Sequence, residues 1–253
     1  MQLADEYRPN GWDEVAGQDN AVASIQRVLA RGVGGRAFWL TGLSGSGKTT
    51  MALLIAGEVS SDLAREECEA GALTPAKLRD LERTYACKPL PMDGKVGWAI
   101  ICNEAHRLRR DTVAALLDVL ERLPSYVTWC FTTTKQGKAS LFEDDKSGDC
   151  APLVSRCTEI VLEDGQKTNE ALAVRAKLVS ERAGLDVYPD WVYRCGIDDC
   201  QGNLRALLQR IESGQLVKTV KAFLRAQLAR PVSEVPSAKR QEIQKMLASL
   251  DSK

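Results

Sequence analysis

Gly42-Leu43-Ser44-Gly45-Ser46-Gly47-Lys48-Thr49 constrains this chain more than any other stretch. It satisfies the Gly-x-x-x-x-Gly-Lys-Ser/Thr spacing at every fixed position, and the flanking residues decide how it is read. Ala37-Phe38-Trp39-Leu40-Thr41 is a short buried strand by pattern, and Thr50-Met51-Ala52-Leu53-Leu54-Ile55-Ala56 reads as a helix. A strand that feeds a glycine turn and then opens a helix is a phosphate cradle. Its glycines let successive N–H groups converge on one anion, and the helix N-terminus adds partial positive charge. Lys48 would reach the β- and γ-phosphate oxygens, and the Thr49 hydroxyl would ligate Mg²⁺. Gly42, Ser44, Gly45, Ser46, Gly47 and Thr50 would complete the cradle. The expectation is a nucleoside triphosphate site, with ATP and Mg²⁺ as its ligands.

Charge bounds the partners. The 253 residues carry 34 basic and 34 acidic side chains, a formal net charge of zero. Affinity for nucleic acid therefore has to come from a local patch rather than a global basic field. No apolar run reaches the length of a membrane span; the strongest, from Val96 to Cys102, is strand-sized. The N-terminus carries Asp5, Glu6 and Arg8 with no apolar signal core, so a cytoplasmic location away from membranes is expected. Eight cysteines and a single histidine, His106, include no C-x-x-C pair, which argues against structural zinc. Cys102 and Cys130 fall inside apolar strand patterns and read as buried, reduced thiols.

The pattern alternates between strands and helices. Val22 to Leu29 is helical, and Ser60 to Arg83 also reads as helix, broken at Thr74-Pro75. A second strand covers Val96 to Cys102, a helix Thr112 to Leu123, and a third strand Val127 to Phe131. This is α/β, a parallel sheet covered by helices on both faces. Residues 136–152 are polar and read as an exposed loop. From Thr168 onward the pattern is wholly helical: Asn169 to Ala183, Asp190 to Cys195, Leu204 to Ile211 and Leu216 to Leu228, then a proline-interrupted tail. The boundary is placed near Asp164-Gly165.

Hydrolysis needs a second element. The second strand ends in Asn103-Glu104-Ala105-His106. An apolar strand ending in Asp-Glu is the usual partner of a phosphate loop: the Asp holds Mg²⁺ through water and the Glu activates the attacking water. Glu104 stands where the general base is expected. Asn103 keeps an oxygen acceptor at the Mg²⁺ position but lacks a charge. One charge pair at 4 Å is worth about 4 kcal/mol at an effective dielectric of 20, less through an intervening water, so weaker Mg²⁺ affinity is expected with ATP hydrolysis retained through Glu104; a slow or regulatory site is the alternative.

Residues Tyr7-Arg8-Pro9, Trp12-Asp13-Glu14-Val15-Ala16-Gly17-Gln18, Leu78-Arg79-Asp80, Asn103 to Leu108, Ala115 to Glu121, Phe131-Thr132-Thr133-Thr134, Ser155-Arg156-Cys157 and Gly202-Asn203-Leu204-Arg205 occur in one order. Together they resemble the clamp-loader group of AAA+ ATPases, which includes the DNA polymerase III gamma/tau and delta-prime subunits and the small subunits of replication factor C. Holliday-junction motor ATPases share the Arg-Pro and Gly-Gln opening but not, as a rule, the Ser-Arg-Cys tripeptide. The resemblance covers roughly residues 3 to 214. It implies an AAA+ nucleotide-binding core over residues 1–165 and a small all-helical lid over 166–215; the chain departs from the family pattern in the short helical tail over 216–253, which is expected in place of a full collar domain.

The resemblance also implies roles. Tyr7, Arg8 and Val15 would pack around the adenine. Thr133 would be the sensor-1 residue at the γ-phosphate, with Thr132 or Thr134 as alternatives in register. Arg205 would be sensor 2 at the start of a lid helix, and Arg156 the finger that reaches a neighbouring subunit's γ-phosphate. Such fingers supply about 10³–10⁵ in rate. Other ATPase subunits, DNA bound without sequence specificity, and a sliding clamp or polymerase-associated protein are the implied partners. Lys77, Arg79, Arg107, Arg109 and Arg110 are the candidate phosphate-tracking residues on DNA. The alternatives are a DNA-remodelling ATPase of the Holliday-junction or helicase-loader kind, and a weakly hydrolysing nucleotide-binding scaffold.

Overall fold

The computed structural model describes residues 2–134, 151–229 and 236–251. Most of the predicted polar loop at 136–152 lies outside the described residues. In chain order the helices are α1 (Leu3–Glu6), α2 (Asp19–Leu29), α3 (Lys48–Val59), α4 (Pro75–Thr84), α5 (Arg110–Glu121), α6 (Ala151–Ser155), α7 (Gln166–Arg182), α8 (Asp190–Asp199), α9 (Leu204–Glu212), α10 (Leu216–Ala229) and α11 (Ser237–Asp251). The strands are β1 (Arg36–Gly42), β2 (Arg65–Glu69), β3 (Trp98–Asn103), β4 (Val127–Thr134) and β5 (Thr158–Val161). They form one parallel sheet in the order β2-β3-β4-β1-β5. The chain folds into two compact units, Pro9–Glu163 and Met1–Arg8 with Asp164–Lys253.

In the sheet unit, alternation along each strand feeds two separate cores. Phe38, Leu40, Ile101, Cys130 and Ile160 meet Ile25 of α2 and Met51 and Ile55 of α3. Trp39, Ile100, Cys102, Trp129 and Phe131 face the other way, onto Leu78 and Leu81 of α4, Val113 and Leu116 of α5 and Leu153 of α6. Trp129 and Phe131 stack with ring centroids 5.6 Å apart. Apolar side chains cover both faces, so the central strands read as continuous apolar runs.

Two strands depart from the sequence expectation. The segment from Ser60, predicted helical, is instead a single turn followed by β2; only α4 is helical, starting from the Thr74 cap whose hydroxyl accepts from the Lys77 amide. Arg65-Glu66-Glu67-Cys68-Glu69 has helix-forming composition, yet every residue pairs with β3, from Arg65 opposite Ala99 to Glu69 opposite Asn103. Tertiary pairing overrides local propensity here. As an edge strand, β2 exposes Glu67 and Glu69 while Cys68 packs inward. The sequence reading also ended its strand count at β4, whereas β5 adds a short ladder beside β1.

The helical unit packs α7, α8, α9 and α10 around Leu172, Val192, Tyr193, Ile197, Leu207 and Val220, with Ile243 and Leu250 of α11 also buried. Gly196 lets these helices close: a Cβ there would lie 2.8 Å from Leu207 and 3.0 Å from Leu216. Asn203 caps α9 by accepting from the Ala206 amide at 3.1 Å. The first residues, read with the core from sequence, join this unit; Arg175 of α7 donates to the Tyr7 carbonyl at 3.1 Å.

Candidate nucleotide-binding site

β1 delivers the chain at Gly42 and α3 takes it up at Lys48, so the loop between them sits at the carboxyl edge of the sheet. Its turn requires glycine. Gly45 and Gly47 have φ of +72° and +99°, the left-handed region. At Gly42 a Cβ would lie 2.7 Å from Ser46 Oγ and 2.9 Å from Leu162 Cβ. No side chain caps α3, which leaves its N-terminus to an outside acceptor.

Lys48 is only 7% exposed, and its Nζ donates to the carbonyls of Leu43 at 2.7 Å and Gly42 at 3.3 Å. Ser46 Oγ is buried with no hydrogen-bond partner. A buried ammonium, an unsatisfied buried hydroxyl and an uncapped helix start fit a phosphate group. Ser44 is exposed and Thr50 half-buried beside them.

Thr49 and Asn103, the residues read from sequence as Mg²⁺ ligands, lie in contact. Thr49 Oγ1 donates to Asn103 Oδ1 at 3.4 Å, and Thr132 Oγ1 donates to the same oxygen at 2.9 Å. Asn103 Nδ2 donates to Glu67 Oε1 at 2.6 Å. Oxygen ligands of this kind suit Mg²⁺. Thr133 is the sensor expected from sequence, with Thr132 or Thr134 as alternatives; strand alternation puts Thr132 on the α3 face with Asn103. Thr133 turns to the opposite face, where its hydroxyl lies 3.2 Å from His106 Nδ1. His106 Nε2 in turn lies 3.4 Å from Glu104 Oε2, so one imidazole bridges Thr133 and Glu104. Glu104 has left-handed backbone angles (φ 54°, ψ 47°), a strained placement for a non-glycine residue at the tip of β3.

The remaining candidates are dispersed. Val15 packs half-buried against the α2/α3 core, beside Trp12, whose indole donates to Glu58 at 2.9 Å. Gln18, almost fully buried, exchanges two hydrogen bonds with the Glu163 backbone and anchors its segment past the end of β5. Tyr7 and Arg8 follow α1, with Arg8 paired to Asp5, and Arg205 is exposed on the first turn of α9. Arg156 follows α6; its Nε donates to Glu121 of α5 at 3.0 Å and its Nη1 to the Pro152 carbonyl at 3.0 Å. Lys77 pairs with Glu66 at 2.8 Å, whereas Arg79, Arg107, Arg109 and Arg110 have exposed side chains. Sequence reasoning missed Glu67 and Glu121, because neither has a local signal: each is found only once its strand or helix has a neighbour.

The buried thiols take the directions their surroundings dictate. Burial pushes Cys157 up to about 12 and raises Cys130 further. The hydrogen bond from Cys102 lowers Cys68, and that bond and burial together raise Cys102. Among the described residues no group of three His, Cys, Asp or Glu side chains could hold a metal ion, and no helix is long and apolar enough to cross a membrane.

No family model matches the chain. The DNA polymerase III subunit gamma/tau of Mycoplasma pneumoniae is 26% identical, covering 86% of this chain and 33% of that protein. The subunit gamma of Buchnera aphidicola is 28% identical over 52% of this chain and 42% of its own length. The subunit tau of Bacillus subtilis is 24% identical over 72% of this chain and 34% of its own length. The chain resembles the clamp-loader group of AAA+ ATPases. It spans between about a third and two fifths of the length of these relatives. Among solved structures, the Thermotoga maritima RuvB Holliday junction branch migration motor superposes with a TM-score of 0.63 at 19% identity, covering 84% of this chain and 66% of that one. At that identity the likeness shows the fold alone, a parallel sheet with flanking helices like that of the RuvB motor.

Proposed function

We propose that this AAA+ chain binds ATP with Mg²⁺ and hydrolyses it as one member of a clamp-loader-type oligomer on DNA. The observation that carries this reading is the cradle itself, with Lys48 and Ser46 buried over the start of α3 and Thr49 and Asn103 in contact beside it. In this reading Lys48 neutralises the β- and γ-phosphates, and loop amides of residues 45–49 hold them. Thr49 and Asn103 would hold Mg²⁺, which would neutralise charge developing on the β- and γ-phosphate oxygens. Glu104 takes the proton of the attacking water. Thr132 or Thr133 reads the γ-phosphate, Arg205 senses it, and Tyr7, Arg8 and Val15 surround the base.

Arg156 completes the site of a neighbouring subunit in the same proposal. Its pairing with Glu121 is a half-exposed ion pair, of a kind worth about 0–1 kcal/mol, so a γ-phosphate next door competes easily for the guanidinium. ATP binding would then favour assembly around DNA and hydrolysis would favour release. The exposed Arg79, Arg107, Arg109 and Arg110 would track DNA phosphates without reading bases. A sliding clamp or polymerase-associated protein is the proposed cargo. The neutral amide at Asn103 favours a second reading, a nucleotide-dependent scaffold that turns over slowly.

Equilibrium binding of a fluorescent ATP analogue tests the core of the proposal. Replacing Lys48 with Ala should weaken binding at least about tenfold, the loss of one charge-assisted contact. Equal affinity in the two proteins would refute the site.

A further inference from the structure

We propose that Glu67 is the anionic partner of the Mg²⁺ position: it turns the Asn103 amide so that its oxygen faces Thr49, and it returns to the site the negative charge that Asn103 lacks. This rests on the nucleotide-binding reading above. Glu67 lies on β2 opposite Ile101, and Glu69 lies opposite Asn103, so residues 67, 69, 101 and 103 share the face of the sheet that α3 covers. Cys68 and Cys102 share the other face. The strand pairing, rather than any local sequence signal, brings the carboxylate of Glu67 within 2.6 Å of Asn103 Nδ2.

The orientation of that amide has one determinant. Thr49 and Thr132 carry hydroxyls, which can donate or accept and would satisfy either end of the side chain. A carboxylate only accepts, so the end of Asn103 that faces Glu67 must be the NH₂. The Oδ1 is then left for Thr132 at 2.9 Å and Thr49 at 3.4 Å. A charge-assisted hydrogen bond holds this preference by roughly tenfold or more over the turned amide. Polarised from behind by a carboxylate, the amide oxygen is also a stronger acceptor toward a cation than an isolated amide.

The pair also accounts for the asparagine. With Asp at position 103, two carboxylates would meet at hydrogen-bonding distance, and like charges so placed disfavour each other's ionised form. With Glu67 in place, a neutral donor at 103 is the compatible neighbour. The site thus keeps one negative charge but carries it on the adjacent strand. The arrangement predicts that the two side chains can exchange roles, since Gln at 67 could donate to Asp at 103 through the same contact with its polarity reversed.

The test is a Mg²⁺ titration of fluorescent ADP binding to the full chain, with thermal melting of each nucleotide-free variant as the fold control. Glu67→Gln should raise the half-saturating Mg²⁺ concentration about tenfold while changing Mg²⁺-free nucleotide affinity less than about twofold. Asn103→Asp alone should bring no tightening over the natural chain. The double variant Glu67→Gln/Asn103→Asp should return to within about threefold of it. Unchanged Mg²⁺ dependence in Glu67→Gln, or full tightening by Asn103→Asp alone, overturns the assignment of Glu67. Failure of the natural chain to bind ADP at all overturns the site reading beneath it.

Discussion

Lys48 shows how much a single burial can commit. A lysine that is 7% exposed is costly unless something accepts from its ammonium, and the carbonyls of Gly42 and Leu43 do so from the loop itself. Cysteine chemistry gives a residue-scale check on the same packing. A thiol raised to about 12 is about one part in ten thousand ionised at pH 8, and the thiolate is the reactive form. Maleimide labelling of the native protein at pH 8, resolved by peptide mass spectrometry, should therefore modify exposed Cys87 well before Cys157 or Cys130. Raising the pH increases the Cys157 thiolate about tenfold per unit, so any labelling there should climb with pH; equal rates at Cys87 and Cys157 would contradict the packing around α6. Lys48, Thr49 and Glu104 stand out in the sequence because their positions follow from fixed spacing next to a strand. The choice among Thr132, Thr133 and Thr134 does not, since a one-residue change of register turns a strand side chain to the other face. Glu67 was invisible for a different reason: its partner is 36 positions away and is met only through the β2–β3 ladder.

At the scale of elements, β1, β3 and β4 announce themselves as apolar runs because helices cover them on both faces. β2 does not, because an edge strand needs only one inward side chain, here Cys68, and its remaining residues favour helix by composition. β5 has four residues, too few to show a period. The helices of the second unit were legible by their spacing: α9 repeats Leu204, Leu207, Leu208 and Ile211, of which the last three are buried. The burial of β3 behind Asn103 makes a prediction. Ile101→Ala removes a fully buried side chain two residues before Asn103, and large-to-small changes of this kind cost about 2–5 kcal/mol. Chemical denaturation should show a loss in that range with an unchanged slope. A loss below about 1 kcal/mol would mean that this face of the sheet is not packed as described.

Two units of unlike construction make up the molecule, one built on a sheet that holds the phosphate loop, the other entirely helical and including the first residues of the chain. In the proposed function Arg156 of the sheet unit acts outside its own chain: it pairs with Glu121 of the same chain, and its proposed target is a neighbour's phosphate. ATP turnover with DNA in a mixture of Lys48→Ala and Arg156→Ala proteins measures this directly, because each variant supplies what the other lacks. Each variant alone should lose about 10³-fold or more of the natural chain's turnover, in line with what such fingers contribute, and mixing should restore a substantial part of it. Turnover by Arg156→Ala alone at the level of the natural chain, or a mixture as inactive as its components, would contradict it.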